Sequence, residues 1–380
     1  MSNDPISQIQ QLIDNHAATK AIGVVAGLVS PSVQDGATLL FAGADGFLNT
    51  KHDPLVLDGN TLFKLASLTK IFTSVVQFQN HGDYAGKLSD FITVKDYPLP
   101  EPIGNLPILD LANYSPGFPT DTHVSWVGSQ YLQNLPALLG FLVNTPNIPQ
   151  NTPGTCYSYS NFGWALLGLV ALGVSDASVN IYGEWQTSIA SLGKAVGFTN
   201  TAPYDASMNV NLAVGHYKNG SMLPPNANYG LQNPMLFGAG GVVTTGNDML
   251  KWLQLHMGQG SGSWEKMLQQ QQQERWQRAP CQPVETHKGP VVSLGWFHRT
   301  ENINGSDVTF LWKDGAHLGF TTWMGFERWI DTASPSSTGC FVLTNSVGAD
   351  QLGLQIINIL LGNSNPVVST TGVHRVEEDE

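Results

Sequence analysis

Ser67-Leu68-Thr69-Lys70 sets a hydroxyl and an amine three residues apart, so at the start of a helix both side chains leave the same face. A serine hydroxyl is a poor nucleophile at neutral pH until a neighbour takes its proton, and a lysine does so only where burial or nearby positive charge lowers its pKa. The helix N-terminus adds a favourable field for a developing oxyanion. The same spacing recurs at Ser191/Lys194 and Ser263/Lys266, so at least two of the three are accidents.

Two further groups follow along the chain. In Pro153-Gly154-Thr155-Cys156-Tyr157-Ser158-Tyr159-Ser160-Asn161, Tyr159 and Asn161 close a loop just before an apolar helix, so a phenol and an amide can face one site. Beside ammonium groups a tyrosine ionises below its reference value of about 10 and can serve as a general base. Asn161 would orient Lys70 and hold a substrate carbonyl. Lys313-Asp314-Gly315-Ala316-His317 ends an expected strand, where Lys313 can enter a cleft and Gly315 lets substrate approach the backbone. The N–H groups of Ser67 and Ala316 would form an oxyanion hole. Tyr217/Asn219 and Lys218/Gly220 are chance copies of these pairs.

In this order, Ser-x-x-Lys, Tyr-x-Asn and Lys-x-Gly resemble the signature of the serine β-lactamase and penicillin-binding superfamily. Phe63 to Ser67, Leu109 to Gly117, Gly238 to Thr245 with Asp248-Met249, and Leu294 to Trp296 resemble other recurrent segments of that family. The resemblance implies Ser67 as nucleophile, Lys70 and Tyr159 as a proton-transfer pair, Asn161 as orienter, and Lys313 as electrostatic partner of Tyr159 and substrate. Tyr in the second motif resembles class C enzymes, family VIII esterases and D-aminopeptidases. His317-Leu318-Gly319 offers a rival third motif, but the Gly-aromatic pair that follows, Gly319-Phe320, is spaced for Lys313, so His317 is expected to line the cleft with Asp314 and Gly315. Asp314 departs from the family's Thr or Ser, whose hydroxyl helps hold a substrate carboxylate; a carboxylate there would repel one. The expected substrates are therefore small esters, amides or peptides, in the manner of an esterase or D-amino-acid amidase, before a β-lactam or a D-alanyl-D-alanine peptide. A catalytically silent binding protein is the reading from another class; the five key side chains argue against it.

The elements that must position these groups follow from periodicity. Leu68, Ile71, Phe72, Val75 and Val76 make the apolar face of a helix over Leu65 to Asn80. Ile6, Ile9, Leu12 and Ile13 mark an N-terminal helix, and Ala21 to Ser30 with Ala37 to Ala44 a hairpin. Loops are expected over Ser89 to Asn161, with a helical piece at Tyr131 to Val143, and mostly helix from Phe162 to Gln273, where Gln269 to Gln273 reads as an exposed face. Strands return at Pro290 to Arg299, Val308 to Lys313, Phe320 to Glu327 and Cys340 to Leu343, before a last helix, Asp350 to Leu361. The expected fold is α/β (α+β): an antiparallel sheet assembled from both chain ends and flanked by helices, residues 1–62 and 286–372. Residues 63–285 would form a mainly helical second lobe carrying Ser67 and Tyr159, and 373–380 an acidic tail.

A net charge of -12 with only 17 Lys and Arg disfavours nucleic-acid and anionic-membrane partners, leaving a small molecule or short peptide. An α/β-hydrolase would want Gly-x-Ser-x-Gly and a zinc hydrolase His-Glu-x-x-His, and neither occurs; ten scattered His make no metal site, so no metal or cofactor is expected. Cys156, Cys281 and Cys340 are read as buried thiols rather than a disulfide framework. The first twenty residues show no basic start with an apolar stretch, so a cytoplasmic location is expected.

Overall fold

The computed structural model describes residues 4–18, 22–43, 46–119, 125–225, 227–260, 262–273, 276–281, 290–329 and 335–363; the acidic tail lies outside them. Its strands are β1 (Gly23–Val29), β2 (Ala37–Gly43), β3 (Leu62–Lys64), β4 (Ala202–Pro203), β5 (Val242–Thr245), β6 (Trp276–Gln277), β7 (Val291–Val292), β8 (Phe297–Ile303), β9 (Ser306–His317), β10 (Phe320–Glu327) and β11 (Gly339–Thr344). Eight of them form one sheet in the order β2-β1-β11-β10-β9-β8-β7-β6, and β3-β5-β4 form a small second one. The large sheet is antiparallel throughout and joins the chain ends where β1 pairs with β11, Val25 opposite Leu343.

Every residue of β1, Gly-Val-Val-Ala-Gly-Leu-Val, is buried, which a strand covered on both faces requires. Gly353, in the helix Ala349–Leu360, lies against the Trp323 ring. His256, at the end of the helix Gly246–His256, has its ring 6.2 Å from that of Phe326. Trp323 and Phe326 stand three apart on β10, so these helices cover opposite faces. The N-terminal helix Pro5–Ala17, capped by Asp4 and burying Ile9, Ile13 and Ala17, joins the Ala349–Leu360 layer. A continuous buried apolar cluster runs from Ile9 to Ile357. Among the described residues, no helix is long and apolar enough to cross a membrane.

Three local expectations are corrected. The helical piece at Tyr131 to Val143 is broken: a 3-10 turn, Ser129–Leu132, precedes the helix Leu135–Asn144, because Asn134 caps it by accepting from the Ala137 N–H at 3.0 Å. The stretch from Phe162 to Gln273 contains β4 and β5 as well as helices. In the helix Glu265–Gln273, Leu268, Gln271 and Gln272 are buried rather than exposed. Their i, i+3, i+4 spacing makes an inner face. Gln271 Nε2 donates to Ser74 Oγ at 2.8 Å and Gln272 Nε2 to the His256 carbonyl at 2.7 Å, which makes such burial tolerable.

His256 itself is fully buried between aromatic rings, and neither ring nitrogen has a hydrogen-bond partner among the described residues. Burial pushes its pKa down to about 3. The unfolded chain then binds a proton that the folded one refuses, so this contribution to stability is complete above pH ~6.5 and is lost towards pH 3, by up to about 1.4 kcal/mol per pH unit. His256→Phe is expected to raise stability by about 1–3 kcal/mol and to flatten the acid side of a Tm-against-pH curve. An unchanged acid slope would show that His16, His216 and His317, also lowered by burial, carry it instead.

Candidate active site

β3 delivers the chain to a 3-10 turn, Ala66–Leu68, which continues as the helix Thr69–His81. Ala66 holds φ at +49°, a left-handed conformation costly for a residue with a Cβ and persistent only where the surroundings enforce it. The consequence is exposure. From Thr61 to Lys70 only Ser67 is not buried.

Lys70, one helical turn on, is wholly buried. Its Nζ donates to Ser67 Oγ at 2.8 Å, Asn161 Oδ1 at 2.8 Å and the Ala239 carbonyl at 3.0 Å. Three acceptors match the three hydrogens of an ammonium. Asn161 opens the helix Asn161–Leu172, which Ser160 caps by accepting from the Gly163 N–H.

Tyr159 reaches the same hydroxyl from the other side, its phenol oxygen 2.9 Å from Ser67 Oγ. Its ring stacks on that of Tyr114, centroids 5.6 Å apart, and lies within 5.0 Å of Lys70 Nζ and 5.5 Å of Lys313 Nζ. Burial alone pushes the phenol up. Lys313, then Lys70, and the hydrogen bond with Ser67 outweigh burial and hold Tyr159 below the usual tyrosine value, against a smaller opposing effect of Asp314. Tyr114 and Tyr157, equally buried, are pushed well above it by burial and then by Tyr159. One tyrosine of the three is thus prepared to ionise.

Strand β9 runs four residues further than expected, through Asp314-Gly315-Ala316-His317. A Cβ on Gly315 would collide with the Leu65 carbonyl and stand 2.9 Å from Ser67 N, so glycine permits the strand to touch the Ser67 turn. The β8–β9 ladder ends at Phe297 opposite Trp312, leaving that edge of residues 313–317 without a strand partner among the described residues. On the other side His317 pairs with Phe320 across the two-residue turn Leu318-Gly319, then Ala316 with Thr321. The pair closing such a hairpin exchanges hydrogen bonds and the next pair does not, so the Ala316 N–H points to the open edge.

Lys313 is buried, and burial lowers its pKa, but Asp314 and then Tyr159 more than reverse this. Its Nζ donates to Asp314 Oδ1 at 2.9 Å and to the Asp314 carbonyl at 2.7 Å. The half-buried Asp314 carboxylate therefore occupies the ammonium. His317 meets the buried Lys64; Lys64, Tyr114 and Ala239 lie in or beside the site although no motif marks a role for them. The chance copies Ser191/Lys194, Ser263/Lys266, Tyr217/Asn219 and Lys218/Gly220 all lie exposed on the surface.

The reading of Cys156 and Cys281 as thiols is overturned: they form a disulfide across 125 residues, and only Cys340 is a buried free thiol. What brings them together is a bridge between Tyr157 and Pro280, with Tyr157 N–H donating to Ala279 and Cys281 N–H to Tyr157. The bond pins the segment that carries Tyr159. Reduction, or Cys156→Ser, is expected to cost about 2–4 kcal/mol of stability and to reduce turnover at temperatures where the fold persists. Melting curves and rates with and without reductant check this; unchanged values for both would detach the disulfide from the site.

The Beta-lactamase family model matches residues 9–361. Similar solved structures include a D-alanine carboxypeptidase from Burkholderia cenocepacia, 19% identical, with 94% of this chain and 98% of that one covered at a TM-score of 0.67. A class C β-lactamase is 18% identical, with 96% of each chain covered at 0.68. A β-lactamase/D-alanine carboxypeptidase from Pseudomonas syringae is 15% identical, covering 95% and 99% at 0.68. No curated protein sequence matches the chain. At these identities the structural likeness establishes the fold, an α/β architecture of β-lactamase/transpeptidase type.

Proposed function

Because the chain belongs to the Beta-lactamase family and shares its fold with serine hydrolases, we propose that it cleaves small esters or amides through an acyl-enzyme on Ser67. The observation that carries this is the Ser67 hydroxyl held at 2.8 Å by Lys70 and 2.9 Å by Tyr159. Lys70, donating to three acceptors, is the cation. Tyr159, held below the usual tyrosine value, is the base. Ser67 Oγ attacks the substrate carbonyl carbon as its proton passes to the Tyr159 phenolate. The oxyanion then accepts from the N–H groups of Ser67 and Ala316. Tyr159 returns the proton to the leaving group as its bond to carbon breaks. A water, deprotonated by Tyr159, releases the acid, and Ser67 recovers its proton.

The relatives named as β-lactamases and D-alanine carboxypeptidases suggest substrates with a carboxylate beside Lys313. Asp314 opposes them here. Two carboxylates at 4 Å repel by about 4 kcal/mol at an effective dielectric of 20, and Lys313 is already paired. Esters and amides without a carboxylate on the leaving side fit better. The Cys156–Cys281 bond supports work in an oxidising compartment rather than in the cytoplasm, because cytosolic thiols are kept reduced.

Intact-mass spectrometry of the protein and its Ser67→Ala variant, after p-nitrophenyl butyrate, a D-amino-acid amide or benzylpenicillin, tests the reading. The expected result is turnover or a mass adduct with the ester or amide, weaker with the penicillin, and none in the variant. No adduct and no turnover with any of them would leave a binding protein on the same fold.

A further inference from the structure

Lys64 and His317 lie outside the proton-transfer machinery yet adjoin it. Lys64 ends β3, three residues before Ser67, and is 1% exposed. Its Nζ donates to the Tyr229 carbonyl at 2.7 Å and stands 2.6 Å from His317 Nδ1. An ammonium offers no lone pair, so Nδ1 is the acceptor and the imidazole hydrogen sits on Nε2. Burial and then the Lys64 charge hold the ring far below the usual histidine range, so it stays neutral and keeps this tautomer. Nε2 has no partner among the described residues and is not sealed from solvent. His317 therefore presents one fixed N–H, polarised by the cation behind the ring.

Its place decides what that N–H meets. Side chains alternate along β9, so Lys313, Gly315 and His317 share the face turned to the Leu65–Ser67 turn. At about 3.3 Å per residue, Lys313 and His317 stand roughly 13 Å apart on either side of Gly315. The leaving group must receive its proton from Tyr159, whose ring lies beside Lys313. With the carbonyl oxygen held by Ala316, the acyl chain is left to run the other way, towards His317.

We infer that His317 Nε2–H is a specificity-determining donor for an oxygen acceptor, foremost a carboxylate, carried on the acyl chain of the substrate. The inference rests on the acyl-enzyme reading and deepens it: the cleft accepts an anion on the acyl side through Lys64 and His317, and rejects one on the leaving side through Asp314. The substrate class is then a half-ester or half-amide of a dicarboxylic acid.

The test compares mono-p-nitrophenyl glutarate with p-nitrophenyl 5-methylhexanoate, in which an isopropyl group replaces the carboxylate. Background-subtracted kcat/KM is measured for the wild type, His317→Phe and His317→Gln, with thermal unfolding of each. The wild type is expected to favour the glutarate about tenfold or more, the scale of one hydrogen bond to a charged group. That ratio should fall towards one in His317→Phe and recover in part in His317→Gln, whose amide N–H can stand where Nε2–H stood. A wild-type ratio near one, or a ratio that survives in His317→Phe, overturns the inference while leaving the acyl-enzyme intact. If His317→Phe does not fold, the wild-type ratio and His317→Gln decide. Failure to cleave either ester, with no adduct on Ser67, removes the acyl-enzyme reading and this inference with it.

Discussion

Tyr159→Phe is expected to lower kcat/KM on any ester or amide the protein cleaves by about 10²–10⁴-fold, the usual worth of a positioned general base. The substitution deletes only the oxygen 2.9 Å from Ser67 Oγ. It keeps the ring that stacks on Tyr114, so the fold should persist and the melting temperature should change little. Lys70, also 2.8 Å from Ser67 Oγ, is the rival base. Steady-state rates and a melting curve on the variant check both halves. Near-wild-type rates would transfer the base role to a neutral Lys70.

Lys313→Met should act through pH. In the folded protein the Lys313 ammonium is the largest influence holding the Tyr159 phenol below the usual tyrosine value. The active form carries the phenolate, so activity rises as pH climbs through that pKa. Removing the ammonium leaves burial, which raises the pKa, less opposed. The acid limb of the kcat/KM profile must therefore move to higher pH, with a large loss at neutral pH that partly recovers in alkaline buffer. Lys313→Arg, which keeps a charge, should move the limb less. An acid limb at the wild-type position in Lys313→Met would sever the link between Lys313 and Tyr159. A uniform loss at every pH would point instead to the Asp314 carboxylate, stripped of the partner it holds at 2.9 Å.

The helix after Ser67 and the strands of both chain ends were legible because their evidence is local. A 3.6-residue period placed Ile71, Phe72, Val75 and Val76 inside, and runs of β-branched residues marked β1, β10 and β11 within a residue or two. The order of the three short motifs selected Ser67, Tyr159 and Lys313 from chance copies that the structure leaves on its surface. The helix Glu265–Gln273 shows the limit of such reasoning. Polarity suggested exposure, but Ser74 and the His256 carbonyl, supplied from other helices, make burial of two glutamines acceptable.

Local sequence thus marked most of the helices and strands, though not β4, β5 or the full length of β9, and the side chains with the chemistry of a serine hydrolase. The tertiary structure alone decided the pairings: Cys156 with Cys281, Asp314 with Lys313 rather than with open cleft, and Lys64 with His317. Secondary structure answers to neighbours within one or two turns, whereas a disulfide or a histidine tautomer depends on which distant segments approach, and even the adjacent pair Lys313 and Asp314 turns to each other only where the surrounding fold buries the ammonium. In Lys64 and His317, 253 positions apart, that approach sets a proton on one nitrogen rather than the other.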